Sequence, residues 1–342
     1  MKPPTGATPS LASLKDVAKR AGVSAMTVSR TLNGNYPVSE ETRRIVLAAA
    51  RELDYEPNIL GRNLRAARNR TVLVAGHGLV EAILTGVYRA ANELDYEVIL
   101  MNTRFSASGD YVRRIRNGMT RGILFMNMLD EETLVRIGAE YPMVQCGSAV
   151  DLPDSCVVTV DEAEAACDLV GRLLHEGRKR IAFVTMEIAG AATGMSRRRE
   201  EGFLVAHAAY GAVPMAGYRI RNDYLGEDLS PALALARRIV AMDPAERPDA
   251  LVVEQNIQAV ACVNHFREAG LAVPQEISVA SMDDQPVNTV IQPTLTAVGH
   301  PYGAMGVEAM RMLAARIENA PIPSRKVVFQ HELRMRGSTG PL

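Results

Sequence analysis

The residues of this 342-residue chain best suited to chemistry lie near its start. In "SAMTVSR", residues 24–30, the hydroxyls of Ser24, Thr27 and Ser29 and the guanidinium of Arg30 are interleaved with Ala25, Met26 and Val28. Hydroxyls and a guanidinium at helical spacing suit hydrogen bonding to a polyanion such as DNA. A second set follows in "NILGRNLRAARNR", residues 58–70, which has four arginines and no acid and is too polar to be core. Covalent and metal chemistry is poorly provided for. Cys146, Cys156, Cys167 and Cys262 form no C-x-x-C pair, the six histidines form no H-x-x-x-H pair, and no G-x-G-x-x-G, P-loop or G-x-S-x-G pattern occurs. No cofactor, metal or disulfide framework is expected, and no enzymatic activity.

Three short helices would position the first set. Residues 1–12, rich in Pro, Thr, Ser and Gly, read as a flexible arm. Ser13 with Asp16 three residues on is an aspartate variant of the capping box. Leu14, Val17, Ala18 and Ala21 then make an apolar stripe that Gly22 ends. Ser24 caps a second helix, in which Val28 and Leu32 face inward and Ala25, Met26, Ser29 and Arg30 point elsewhere until Asn33-Gly34 closes it. Ser39 caps a third, with Glu40 and Glu41 at its positive end and an apolar line through Ile45, Ala49 and Leu53. Such a trio over residues 13–57 is the minimal helix-turn-helix, whose second helix enters the major groove, although the pattern alone also fits a plain helical hairpin.

The charge is segregated. Residues 1–70 carry 12 Lys and Arg against 6 Asp and Glu, while residues 71–342 carry 26 against 33, so a net charge of -1 conceals a basic module on an acidic body. That distribution suits a first part that meets a polyanion and a second that does not. At 47% hydrophobic, the chain can bury a full core. Its longest apolar runs, such as Thr71 to Gly76, fall far short of the roughly 20 residues of a membrane span, and no signal-peptide pattern opens it. A cytoplasmic protein without membrane contact is expected. From Thr71 onward, apolar runs such as "TVLVAG", "GILFMNM", "KRIAFVT" and "DALVVEQ" alternate with amphipathic helical stretches. Two such series predict an α/β core of two doubly wound parallel-sheet lobes, with a ligand in the crevice at the strands' carboxyl ends.

The string "LKDVAKRAGVSAMTVSRTLNG...VSEETRRIVLAAARELDYEPN" closely resembles the headpiece of the LacI/GalR family of bacterial repressors. The resemblance implies that Ala25 and Met26 occupy the recognition-helix positions that set base preference. Neither can make a bidentate hydrogen bond to a base, so polar readout falls to Arg30 with help from Ser29. Ser24, Thr27 and Asn33 are placed for phosphates, and Asn58 stands at the end of the matching segment. Residues 58–70 match the family's hinge helix. That match implies that Leu64, with Arg65 beside it, is wedged from each subunit of a dimer into the minor groove of a pseudo-palindromic operator. Gly61 departs from the pattern and costs roughly 1 kcal/mol of helix propensity relative to alanine, so this hinge is expected to fold only with DNA and the partner subunit present.

The likeness continues through "VTVDEAEAACDLVGRLLHEGRKRIAFV", "FREAGLAVPQEISVASMDD" and "PTLTAV" into the periplasmic-binding-protein-like sensor core that the family uses. It implies one lobe of residues 71–163 and 296–322, a second of residues 164–295 and 323–342, and crossings near 160–164, 293–295 and 322–326. By matching position, Arg199 and Asp283 become effector contacts that face each other across the cleft, an arrangement suited to a polyol or sugar acid. Asp161, Glu162 and Glu164 at the first crossing, and Gln255, are further candidates. The departures concern the ligand. The "GHGLVEA" loop is shorter than the family's and lacks its Asn-Pro-Phe-Phe, and Gln255-Asn256 stands where members usually have Asn-Asp.

A dimeric, operator-binding repressor whose affinity is set allosterically by a small molecule, a sugar, sugar acid or related metabolite, accounts for both parts of the chain. A solute-binding protein would account for residues 71–342 and leave the headpiece unexplained. An enzyme would rest on fold analogy alone.

Overall fold

The computed structural model describes residues 12–33, 38–55, 70–76, 80–102, 112–113, 115–116, 120–126, 131–147, 152, 154–188, 191–192, 194–215, 217–223 and 228–340. The description of Asn33 and of residues 186–188, 191–192 and 222–223 is confined to the backbone. The chain divides between Arg70 and Thr71 into two units, a helical headpiece and a larger core.

In the headpiece, α1 spans Leu14–Ala21, α2 Ala25–Asn33 and α3 Glu40–Glu52. Local signals set each boundary. The Ser13 hydroxyl accepts from the Asp16 amide at 3.3 Å, while the Asp16 carboxylate accepts from the Ser13 amide at 2.9 Å, which satisfies two of the helix's orphan donors. Gly22 ends α1 at φ +67°, a left-handed conformation that favours glycine. The three helices enclose a small core of Val17, Ala18, Val28, Val46, Ala49 and Ala50, with Leu14, Leu32, Leu53 and Tyr55 packed against it. One residue departs from expectation. The inward line of α3 runs through Val46 rather than Ile45, and Ile45 lies on the exposed side.

The core begins with β1 (Thr71–Gly76), α4 (Glu81–Glu93), β2 (Glu97–Asn102), β3 (Gly122–Met126), α5 (Glu131–Gly138), β4 (Met143–Cys146) and β5 (Cys156–Val160). It continues with α6 (Glu162–His175), β6 (Ile181–Ile188), β7 (Ala191–Ala192), α7 (Gly194–Ala209), β8 (Arg219–Asp223), α8 (Ser230–Val240), β9 (Ala250–Val253), α9 (Asn256–Glu268) and β10 (Ser278–Ser281). Last come β11 (Thr296–Gly299), α10 (Tyr302–Ile317), β12 (Lys326–Phe329) and β13 (Glu332–Arg334). The first sheet runs β2-β1-β3-β4-β5-β12, parallel throughout its described pairings. The second runs β8-β6-β9-β10-β11, again parallel, with β13 antiparallel on its β11 edge and the two-residue β7 antiparallel to the end of β6. Both have the first strand between the second and third, so each has a topological switch point beside it.

Residues alternate between the two faces of each sheet. Val72, Val74, Leu124 and Val144 pack on α4 and α10, while Leu73, Ala75, Ile123 and Phe125 pack on α5. In the second lobe Val184, Leu251 and Val253 meet α8 and α9, and Phe183, Ala250 and Val252 meet α6 and α7. Some helices touch through glycine. A Cβ on Gly86 of α4 would collide with the Gly303 carbonyl oxygen of α10, and one on Gly306 with that of Ile83.

Two of the three crossings differ from expectation. The chain enters the second lobe at Asp161, as the resemblance implied. It returns after β11, at His300 and Pro301, because Thr296 and Ala297 continue the parallel ladder of β10 and the Thr296 amide is held by Ser338 Oγ at 2.9 Å. Residues 296–299 therefore belong to the second lobe. The final run splits at Gln330 and His331: Lys326–Phe329 completes the first sheet against β5, and Glu332–Arg334 pairs with β11 of the second. Residues 326–329 thus belong to the first lobe.

Candidate functional site

The headpiece holds α2 by its inner face and leaves the outer one to solvent. Val28 and Thr31 are buried, and the Thr31 hydroxyl donates to the Thr27 carbonyl at 2.8 Å. The Ser24 hydroxyl accepts from the Thr27 amide at 3.1 Å and lies 2.9 Å from the Thr27 hydroxyl, so the cap and its partner are oriented together at the positive end of the helix. Ala25, Met26 and Arg30 are exposed, Met26 by 63%. Ser29 is half-buried between the two faces. An arginine, a thioether and a methyl thus project from one side of a rigidly capped helix, which suits apolar contact to thymine methyls with one polar fork among them. The side chain of Asn33 and all of Asn58, Leu64 and Arg65 lie outside the described residues.

In the core a polar cluster lies at the carboxyl ends of the strands. Arg199, on α7, is 1% exposed, and its Nε donates to Glu162 at 2.7 Å. Its Nη2 lies 3.9 Å from Asp283 and, though buried, makes no hydrogen bond. Asp283, just past β10, accepts a hydrogen bond from the Tyr302 hydroxyl. Glu254, just past β9, is buried and accepts from the Ser196 hydroxyl at 2.7 Å. His300 donates through Nε2 to the Met282 carbonyl at 3.1 Å, leaving Nδ1 buried without a hydrogen bond. Burial acts to lower the pKa of Arg199, but the combined attraction of Glu162, Asp283 and Glu254 outweighs it and holds the pKa above the ordinary arginine value. Burial foremost, then Asp283 and Glu162, pushes Tyr302 well above the ordinary tyrosine range and keeps its proton available to Asp283.

Arg199, Asp283 and Glu162 therefore come together, but not across a cleft: all three belong to the second lobe, and Tyr302 is the member from the first. Asp161 is exposed and caps α6, its Oδ1 accepting from the amides of Ala163 and Glu164 at 3.0 Å each. Glu164 is exposed, and Gln255 is half-buried at the start of α9 without a side-chain cap. Its neighbour Asn256 is buried and donates to the Asp283 carbonyl at 3.2 Å, which braces the loop that presents Asp283. Sequence reasoning missed Tyr302, Glu254, Ser196 and His300. Glu254 directly follows the apolar run "LVV", where a strand's carboxyl end delivers its next residue to the crevice. Among the described residues no group of three His, Cys, Asp or Glu could hold a metal, and no helix is long and apolar enough to cross a membrane.

A two-lobed core with a buried polar site explains a sensor, and a basic headpiece with an outward-facing α2 explains a reader of DNA. Their union in one chain defines the class of DNA-binding transcriptional regulators. Residues 13–58 match the family of bacterial regulatory proteins of the lacI type, and residues 170–339 match the periplasmic binding protein-like domain. The chain belongs to the LacI family. It is 30% identical over 346 residues to the HTH-type transcriptional regulator RegA of Clostridium acetobutylicum, covering 96% of this chain and 99% of that one. It is 28% identical over 334 residues to catabolite control protein A of Priestia megaterium, covering 95% and 98%. The lac repressor dimer bound to operator and the anti-inducer ONPF matches with a TM-score of 0.81 over 96% of this chain and 99% of that one; at 22% identity this is a likeness of fold.

Proposed function

We propose that this regulator acts in the cytoplasm as a homodimeric repressor, and that a small molecule bound in the polar cluster sets its affinity for a pseudo-palindromic operator. The observation that carries the reading is the hydrogen bond from Tyr302 of the first lobe to Asp283 of the second. A ligand that engages Asp283 competes with or reinforces a bond between the lobes, and so has a different affinity for each lobe arrangement. In the headpiece Arg30 supplies the polar base contact, with Ser29 helping. Met26 and Ala25 supply apolar ones, and Ser24, Thr27 and Asn33 meet phosphates. Leu64, with Arg65 beside it, is assigned the wedge at the operator centre, and Asn58 the entry to that hinge.

Selection from a random duplex pool with the full-length protein tests the reading. Enrichment of two related half-sites in inverted repeat is expected, with affinity falling as salt rises. Leu64→Ala is expected to weaken binding and reduce bending of the selected duplex. An enriched site without symmetry, or a salt-independent affinity, would overturn the dimeric DNA-reading model.

A further inference from the structure

The second and third crossings between the lobes lie side by side. β11 and β13 pair antiparallel, and their register ends at Gly299 opposite Glu332. His300 and His331, the residues just beyond that pair, are where the chain passes between the lobes, so the two crossings meet the second sheet together. One loop touches both. The Met282 carbonyl accepts from His300 Nε2 at 3.1 Å, and Asp283 accepts from the Tyr302 hydroxyl, so these two residues hold the second crossing. Asp284 holds the strand that follows the third. Arg336 grips its carboxylate with both terminal nitrogens, Nη1 on Oδ1 and Nη2 on Oδ2 at 2.8 Å each, and Arg334 Nη1 reaches Oδ2 at 2.6 Å. Asn288 Nδ2 adds a further bond to Oδ1 at 2.8 Å. His331 itself is tied through Nε2 to Asp168 of α6 at 2.9 Å, a bond independent of the loop.

The number and geometry of the bonds on Asp284 matter. A carboxylate held by one donor can rotate and absorb a small shift of its own backbone. The Asp284 side chain is 5% exposed and held by a guanidinium fork and a second arginine, so it cannot turn without breaking part of that set. One peptide joins it to Asp283. A displacement of the Asp283 backbone is therefore passed to β13 instead of ending in a side-chain rotation. We infer that Asp284 is a positioning residue of the regulator, coupling the state of Asp283 to the third crossing so that the two return crossings move as one hinge. The inference rests on the reading of the Asp283 cluster as the effector site.

Gel shifts with the full-length protein on the selected operator test it, through the factor by which Tyr302→Phe changes operator affinity in each background. In the otherwise unaltered chain the factor is expected to be at least about fivefold, in one direction or the other. It is expected to fall below about twofold in Asp284→Asn and in Arg336→Lys, which keeps the charge but loses the fork. If Asp284→Asn fails to fold, Arg336→Lys carries the test. Asp168→Asn, which releases His331 at the same crossing, is expected to keep the full factor. A factor that persists in the folded Asp284→Asn and Arg336→Lys proteins would make Asp284 a structural anchor alone, and a factor lost in Asp168→Asn as well would mean that any loosening of the crossing suffices. Either result overturns the inference and leaves the effector site standing. If Tyr302→Phe changes operator affinity in no background, the inference fails together with the reading that the Tyr302 bond governs that affinity.

Discussion

Replacing Arg199 by leucine removes the guanidinium that pairs with Glu162 in a largely buried acidic cluster, and its cost follows from what remains. Leucine fills much of the space but leaves Glu162 without the donor at 2.7 Å and Asp283 without its nearest guanidinium, while Glu254 stays buried nearby. Removing one partner of a buried ion pair costs about 3–5 kcal/mol, because the other charge stays desolvated and uncompensated. Glu162 retains some contact with water, its side chain being 13% exposed, so the lower end, about 3 kcal/mol, is expected. At roughly 2–4 °C per kcal/mol for domains of this size, that is a fall of about 6–12 °C in melting temperature. Far-UV circular dichroism is the suitable readout, since the chain has no tryptophan. The double variant R199L/E162L is the sharper test. It removes both ends of the pair, and an apolar replacement of a buried pair is often close to neutral, so it should be more stable than R199L alone. If R199L melts within about 2 °C of the wild type, or if the two substitutions simply add, the ion pair does not hold the cluster together.

Three further outcomes follow from single contacts. Burial acts to raise the pKa of Asp284, but bonds from Arg336, Arg334 and Asn288 outweigh it and hold that pKa below the ordinary 3.8, so its contribution to stability is present above pH 3.8 and lost as pH falls through the folded value; acid titration of Asp284→Asn should show a shallower loss over that window. Arg30→Ala should weaken operator binding by about 1–3 kcal/mol and relax preference at one base pair of each half-site, as read by competition gel shift. Gly306→Ala should destabilise the first lobe by about 1–3 kcal/mol or more in urea unfolding, since its Cβ has no room beside the Ile83 carbonyl.

The headpiece was legible because its signals are local: the Ser13–Asp16 capping box, the Gly22 turn and the Ser24 cap all act within three or four residues. Its one misreading, Ile45 for Val46, reflects adjacent apolar residues on α3 between which only packing against α1 and α2 can choose. In the core, the strands and helices followed from periodicity, but the crossings did not. Whether "TAVG" and "KVVF" join one sheet or the other is decided by ladder partners, Ala280 for Thr296 and Val157 for Lys326, that lie beyond the reach of local spacing. That error hid Tyr302, whose role depends on its being the first helical residue after the return to the first lobe. Arg199 and Asp283 came from resemblance; their neighbours Glu254 and Ser196 are brought in by α7 and β9 packing, which no spacing encodes. Asp161 could have been read as a cap from its position before "EAEA", where a carboxylate meets the free amides of a helix start.

Tyr302 stands at the head of a helix that has no cushion. Where α10 crosses α4, the carbonyls of Gly303 and Ile83 press on bare glycine backbone, and no layer of side chains there can change rotamer to absorb a displacement. At these two points the helices meet backbone to backbone. A displacement of Tyr302, made when its carboxylate partner is taken or released, is therefore expected to be passed to α4 at these backbone contacts. The approach of these two helices is thus fixed by two glycines as well as by the side chains of the core.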